Sequence, residues 1–292
     1  MNDDFKQYRL QKGYSLKSIK TQNSYLKHFG LWLINRQLNI EDLNSQNLLE
    51  CLAMFRENRS ADHVHNALQL IRIYLDYQVA KGIIEINPAL QIKLRAVIPK
   101  PKPQPLTVQT MEEIYQWFIT LEPETERDRI VHKRDIVALG LLLFQGLDSG
   151  DLERLKVQDM DLHKGTVYIA SSRSNTARKL KLESVQILPV QHYLSTIRKK
   201  VRYYQKDSEK LFAQSKIQDM VSRLVERVKK QYPEIENPRH IRSSVIMNWL
   251  RANHIRQVQY MAGHRRVTST EKYQKDDLHD LAGQLNKYHP LR

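Results

Sequence analysis

Three potential cations lie close together at the predicted start of a helix, namely Arg239, His240 and Arg242 in the segment NPRHIRSSVIMNWL. The amino end of a helix carries a partial positive charge and normally favours acidic side chains. Cations at this place are easier to explain if an anion binds there, because backbone N–H groups at a helix start bind phosphate well. The segment therefore favours an anion site, with a structural salt bridge at Arg242 as the alternative.

The charge of the whole chain also favours an anionic partner. Its 292 residues include 47 Lys and Arg against 32 Asp and Glu, a formal net charge of +15, and the basic residues are spread along the sequence. Such an excess attracts nucleic acid over a long range. A basic but uninvolved surface is the alternative. Membrane-surface binding is less favoured, because no basic amphipathic end segment or lipidation signal stands out.

The sequence gives no sign of a cofactor or a metal site. Cys51 is the only cysteine, the histidines are scattered, and there is no phosphate-binding loop of the type G-x-x-x-x-G-K-[ST]. No apolar run has the length of a membrane span, and the first residues lack the order of a signal peptide. We therefore expect a cytoplasmic protein that works without a cofactor or a membrane.

Four prolines divide the chain in the segment VIPKPKPQPL, Val97–Leu106. Proline fixes φ and lacks an N–H, so the segment is typical of a semi-stiff linker. We predict a helical domain over residues 1–98, a linker over 99–106 and a second domain over 107–292. In the first domain Tyr25, Phe29 and Trp32 follow the i, i+4, i+7 spacing of a helix, and four or five helices are expected.

The second domain mixes two periodicities. Ile136–Gln145 is a strongly apolar helical segment that Gly146 is expected to close. Gly165–Leu182 alternates in polarity on both sides of the polar stretch SSRSNTAR, which predicts an antiparallel β-hairpin with a long tip. The remainder is expected to be helical. The predicted fold class is mainly α with a small antiparallel hairpin or sheet.

Three segments of the second domain resemble the tyrosine recombinase (phage integrase) family. MAGHRRVTSTEKY resembles the Gly-His…Tyr element, with Gly263, His264 and Tyr273 at the family's spacing. Arg242 falls at the arginine of a His-x-x-Arg element, and LLLFQGLDSGDLERLKVQDMDL resembles the element that carries the family's first arginine. The resemblance implies a core-binding (SAM-like) domain and a catalytic-type domain that clamp duplex DNA, with a tyrosine nucleophile, two arginines, a hairpin lysine and two His-like positions.

Three of those positions depart from the family pattern. Asp148 stands where the first arginine is expected, Arg239 stands where the histidine of His-x-x-Arg is expected, and alignment backward from Leu182 places Arg173 at the hairpin lysine. A lost arginine can cost about 10³–10⁵ in the rate of a phosphoryl transfer, and a carboxylate would repel the phosphate. An arginine in place of the lysine is a poor proton donor. The candidate site residues are Tyr273, Arg242, His264, Arg239 and Arg173, with Asp148 at the position of the missing arginine.

These departures leave three hypotheses open. The first is a DNA-binding subunit for recombination or integration that cleaves poorly alone and acts as a homo- or hetero-oligomer, with a competent recombinase paralogue as a possible partner. The second is an active recombinase in which Arg239 compensates for the missing arginine, although an Asp148–Arg239 ion pair competes with that role. A DNA-binding regulator is the weaker third. Asp276–Arg292 is expected to form a helix that packs on its own domain or on a neighbouring subunit.

Overall fold

The chain forms two compact units, Met1–Pro101 and Lys102–Arg292. The structure is a computed structural model, and it describes residues 3–57, 60–95, 103–202, 209–212 and 216–274. Within those residues no helix combines the length and the apolar character that a bilayer span requires. The predicted C-terminal helix Asp276–Arg292 lies outside the described residues.

The first unit consists of helices with an apolar interior. They are α1 Asp3–Gln11, α2 Leu16–Arg36, α3 Ser45–Arg56 and α4 Ala61–Ala80, followed by a short 3₁₀ turn at Pro88–Gln91. Ser15 caps the start of α2 and Asn44 forms a capping box with Asn47 at the start of α3, which satisfies backbone N–H groups that have no partner inside the helix. Phe29 and Trp32 are buried as the spacing predicted.

The second unit is built around one long buried helix. Its helices are α5 Val108–Thr120, α6 Glu126–Leu143, α7 Ser149–Arg154, α8 Ser184–His192, α9 Arg198–Arg202, α10 Ile217–Lys229, α11 Pro238–Ala252 and α12 Ile255–Ala262. A π-helical turn, Tyr193–Ile197, joins α8 to α9. Every residue of α6 from Arg134 to Leu143 is buried. The helix begins at Glu126, well before Ile136, and Thr125 caps it. The sequence pattern missed these first turns because they are polar and carry no apolar periodicity.

A three-stranded antiparallel sheet covers one side of this helical unit. Its strands are β1 Met160–Asp161, β2 Thr166–Ile169 and β3 Arg178–Lys181, in the order β1-β2-β3. Val167 pairs with Leu180 in the predicted hairpin, and Met160 pairs with Val167 on the other edge. The fold class predicted from the sequence is confirmed. Strand β1 was not predicted, because its two residues are too few to show an alternating pattern.

The last residues of the predicted linker are packed into the second unit. Leu106 is buried, its N–H donates to Ser244 Oγ at 2.9 Å, and Asn248 donates to its carbonyl at 2.9 Å. The carbonyl of Gln104 lies 2.8 Å from His240 Nε2. Residues 104–106 are therefore held by α11 and do not act as a spacer.

The core around α6 yields a stability prediction. Leu142 is fully buried on α6, so Leu142→Ala should lower the free energy of unfolding by about 2–5 kcal/mol through lost burial and the cavity left behind. Leu188 on α8 is 74 % exposed, and Leu188→Ala serves as the matched control that should change little. Urea denaturation followed by circular dichroism measures both, and equal effects would contradict the packing described.

Candidate functional site

The structure brings His264 and Tyr273 together. Gly263 ends α12 in the left-handed conformation, with φ of 73°, and turns the chain so that His264 follows it. His264 Nδ1 lies 2.9 Å from the hydroxyl of the buried Thr270. Tyr273 sits on helical residues 268–274, and its ring stacks on the imidazole at 5.9 Å with 7° between the planes. His264 and Tyr273, which the sequence placed in one element, are therefore in contact in the structure.

His264 is held as a neutral imidazole. Burial lowers the pKa of His264 to about 4, and the positive charges of Arg242 and Arg178 lower it in the same direction. A neutral imidazole can donate one hydrogen bond and accept another. Near neutral pH this residue therefore contributes hydrogen bonding to the site, and the positive charge comes from arginines.

Arg242 links three parts of the second unit. It lies in the first turns of α11, donates to the carbonyl of Gly146 and donates to the carbonyl of Ala262 at 2.8 Å. Its guanidinium also lies 3.6 Å from a carboxylate oxygen of Asp151. Two of its donors are therefore used inside the protein, where they fix the position of the guanidinium.

A buried ion pair that the sequence patterns did not predict lies beneath these residues. Asp151 Oδ2 accepts from Arg178 Nη2 at 2.7 Å, and both side chains are fully buried. Burial lowers the pKa of Arg178, which the charge of Asp151 opposes. The alternation of β3 could have revealed it, because Arg178 occupies an inward position two residues before the buried Leu180. A charged residue at an inward strand position requires a partner.

Gly263 is required by this ion pair as well as by its own backbone. A Cβ atom at residue 263 would lie 2.5 Å from Nη1 of Arg178. The loop that carries His264 therefore rests directly on the buried guanidinium. No other side chain fits at this point without moving the arginine.

Asp148 occupies a capping position where an arginine is expected. Its side chain accepts from the N–H of Asp151 at 2.8 Å and caps α7. The Asp148–Arg239 ion pair, which the sequence offered as one alternative, does not form within the described part of the chain, and Arg239 is exposed. Asp148 therefore has a structural role as a cap that is independent of any cation on α11.

The predicted cluster of three cations at the start of α11 points in three directions. His240 is buried, accepts at Nδ1 from the N–H of Glu236 and contacts the linker carbonyl at Nε2. Arg242 turns to internal carbonyls, and Arg239 is exposed. The structure therefore does not bring the three side chains together at one point, because sequence proximity does not fix side-chain direction.

Arg173 is exposed in the hairpin tip, and the tip is fastened to the His264 loop. Thr176 N–H donates to the carbonyl of Gly263 at 2.8 Å, and a backbone bridge pairs Asn175 with His264. Arg265 Nη2 donates to the carbonyl of Ser172 at 2.6 Å. The tip that carries Arg173 and the loop that carries His264 are therefore neighbours.

The assembled site is the stacked His264 and Tyr273 with a cluster of charged groups beside the histidine. Arg242 and Arg178 lie near enough to His264 to lower its pKa, the hairpin tip is bonded to the His264 loop, and Asp151 and Asp148 are the acids near Arg178. Such a site can bind a phosphate diester and place a hydroxyl next to it. Among the described residues no group of histidine, cysteine and acidic side chains could hold a metal ion.

Sequence comparison gives one family match over most of the second unit. Residues 104–279 match the phage integrase family. The tyrosine recombinase XerC of Thermodesulfovibrio yellowstonii is 24 % identical over 304 aligned residues, covering 97 % of this chain and 93 % of that protein. The tyrosine recombinase XerA of Thermococcus kodakarensis is 24 % identical, covering 94 % and 89 %.

Solved structures share the fold. A pre-cleavage complex of the XerH site-specific recombinase bound to its difH substrate has a TM-score of 0.71 at 17 % identity, with 90 % of this chain and 78 % of that chain covered. The Tn1549 transposon integrase in complex with a circular intermediate DNA has a TM-score of 0.66 at 15 % identity, with 92 % of each chain covered.

The environment of His264 predicts its titration. Its imidazole should titrate near pH 4, below the ordinary value of 6.5, because burial and two guanidinium groups disfavour the charged form. Since the native pKa is lowered, this residue's contribution to stability is present above about pH 6.5 and is lost as the pH falls toward 4. Histidine NMR titration, with His264→Gln to assign the signal, measures the pKa. A midpoint near 6.5 would contradict the described burial.

The close approach at Gly263 predicts a second stability effect. Gly263→Ala should lower the free energy of unfolding by about 1–3 kcal/mol, because it places a Cβ against Arg178 and leaves a side chain in the left-handed region. A Cβ added at Gly30 in α2 would meet no atom within 4 Å, so Gly30→Ala should raise stability by about 1 kcal/mol. Thermal and urea denaturation measure both. The same sign for the two variants would contradict the geometry.

Proposed function

Because the chain belongs to the phage integrase family of tyrosine recombinases, we propose that it binds double-stranded DNA as a subunit in site-specific recombination and cleaves DNA poorly by itself. The observation that carries this proposal is Asp148. Its carboxylate caps α7 beside the guanidinium groups of the site, at the position where the family resemblance places an arginine.

The effect of Asp148 on the reaction follows from charge. In the family reaction a tyrosine oxygen attacks a phosphodiester, and negative charge develops on the non-bridging oxygens. A missing guanidinium contact costs about 10³–10⁵ in rate. Two like charges 4 Å apart repel by about 4 kcal/mol at an effective dielectric of 20. An added carboxylate therefore weakens binding of the transition state further.

The rest of the site supports DNA binding. The net charge is +15, Arg173 and Arg265 lie on exposed segments beside the His264 loop, and Arg242 is held in place by two carbonyls. The relatives of similar fold include a recombinase bound to its substrate and an integrase in complex with DNA. We propose that the chain acts on DNA as a homo- or hetero-oligomer. In the hetero-oligomer, a competent recombinase paralogue would supply the cleavage that this subunit performs poorly.

A second candidate, an active recombinase, is favoured by one observation. The stacked Tyr273 and His264 keep a possible nucleophile next to a neutral imidazole. In that case Arg239, which is exposed and forms no ion pair with the described residues, would contact the phosphate in place of the missing arginine. The two candidates differ in whether the wild-type protein forms a covalent bond to DNA.

A nicked suicide duplex distinguishes them. Its core sequence would first be selected from a random pool by binding to the full chain. For the wild type we expect a retarded complex with little covalent adduct. Asp148→Arg should increase the amount of adduct up to about 10³-fold over the wild type, because that change restores the arginine and removes the carboxylate. Denaturing electrophoresis measures the adduct, and Tyr273→Phe is the control.

Two results would point elsewhere. A strong wild-type adduct that disappears in Tyr273→Phe would refute poor cleavage. If Arg239→Ala also abolishes the adduct that the wild type forms, while DNA binding stays intact, the second candidate is established.

A further inference from the structure

Three guanidinium groups meet at the single buried carboxylate of Asp151. Arg154 donates to Oδ1 at 2.7 Å, Arg178 donates to Oδ2 at 2.7 Å, and Arg242 lies 3.6 Å from Oδ2. Asp148 is near enough to act electrostatically on Arg178. Three positive charges thus face two negative ones, and the cluster retains a net positive charge.

Several donors of this cluster have no partner. Nε of Arg154, and Nε and Nη1 of Arg178, are buried and form no hydrogen bond with the described residues. A buried donor without a partner is unfavourable, because it has lost its hydrogen bonds to water and gained none in the protein. The cluster therefore has surplus positive charge and unused donors, and an anion bound at its exposed edge would offset that charge.

Exposure identifies the arginine of this cluster that is most open to an external anion. The side chain of Arg178 is 0 % exposed and lies beneath Gly263, and that of Arg242 is 12 % exposed and bonded to carbonyls. The side chain of Arg154 is 36 % exposed. Arg154 is therefore the member of the cluster that both contacts Asp151 and faces solvent.

Arg154 also lies beside the position of the missing arginine. A Cβ on Gly150 would lie 3.5 Å from Arg154 Nη1 and 3.2 Å from Asp148 Oδ1. The two charged groups therefore flank the same glycine of α7. Gly150 leaves the space between them open.

We propose that Arg154 binds a DNA phosphate in place of the arginine expected at position 148, with Asp151 orienting its guanidinium. This inference rests on the proposed function and deepens it. A guanidinium beside Asp148 anchors the phosphate, while the carboxylate limits the positive charge available to a transition state. Such a site would hold DNA in register without cutting it efficiently.

The alternative is an ordinary ion pair one helical turn long between Arg154 and Asp151. Lys164 and Asp161 offer a matched control, because they form an i, i+3 ion pair of the same type. Lys164 precedes β2, at the end of the sheet away from the hairpin tip. Arg154→Gln and Lys164→Gln each remove one positive charge, so they lower the net charge of the chain by the same amount.

The test uses the full chain and a fluorescent 30-base-pair duplex of random sequence, with anisotropy recorded over a series of NaCl concentrations. Each phosphate contact contributes about 0.9 to the slope of log Kobs against log salt. We expect Arg154→Gln to lower affinity and reduce the slope by about 0.9. Lys164→Gln should leave the slope unchanged, and Arg154→Lys should retain most of it.

Further variants separate binding from folding. Thermal denaturation checks that each variant is folded, and adding D148R to R154Q should restore the lost slope by returning a guanidinium to the neighbouring position. Equal slopes for the wild type, Arg154→Gln and Lys164→Gln would overturn the role of Arg154 and leave the proposed function standing. Absence of duplex binding by the wild-type chain would overturn both.

Discussion

The ion pair between Asp151 and Arg178 is the constraint on which the geometry of the second unit's site depends. It joins α7 to β3 with both side chains fully buried, and Arg242 brings α11 to the same carboxylate. Gly263 packs on the guanidinium of Arg178, so the position of the loop that carries His264 depends on this ion pair. Removing one partner of a buried ion pair typically lowers the free energy of unfolding by about 3–5 kcal/mol, because the other charge stays buried without a partner.

The same cluster explains why the site combines cations with a neutral histidine. Burial lowers the pKa of His264, and the positive charges of Arg242 and Arg178 lower it further. Positive charge is thereby concentrated on groups that do not titrate near neutrality. Phosphate binding would then vary little with pH. These arginines are poor proton donors, and so is Arg173, so a proton for the leaving group would have to come from another group.

Sequence patterns predict the parts of the site that are local in the chain. His264 and Tyr273 are joined by one loop and one helix, and their spacing is enough to pair them. The hairpin follows from alternation, and Thr107 is a typical cap residue at the start of α5. The alternation of β3 marks Arg178 as an inward charge, but its partner Asp151 escapes prediction because it is distant in sequence. The direction of the His240 side chain also escapes prediction, because its imidazole contacts the carbonyl of Gln104, which is distant in sequence.

The bridge between the hairpin tip and the His264 loop has an entropic consequence. A free hairpin tip loses conformational entropy when it meets a ligand, and each residue fixed costs about 1–2 kcal/mol. Here Thr176, Asn175 and Ser172 are bonded to residues Gly263–Arg265 by contacts within the chain itself. That ordering has been completed during folding. A partner that touches the tip therefore meets a preorganised surface, and any motion of the tip must carry the His264 loop with it.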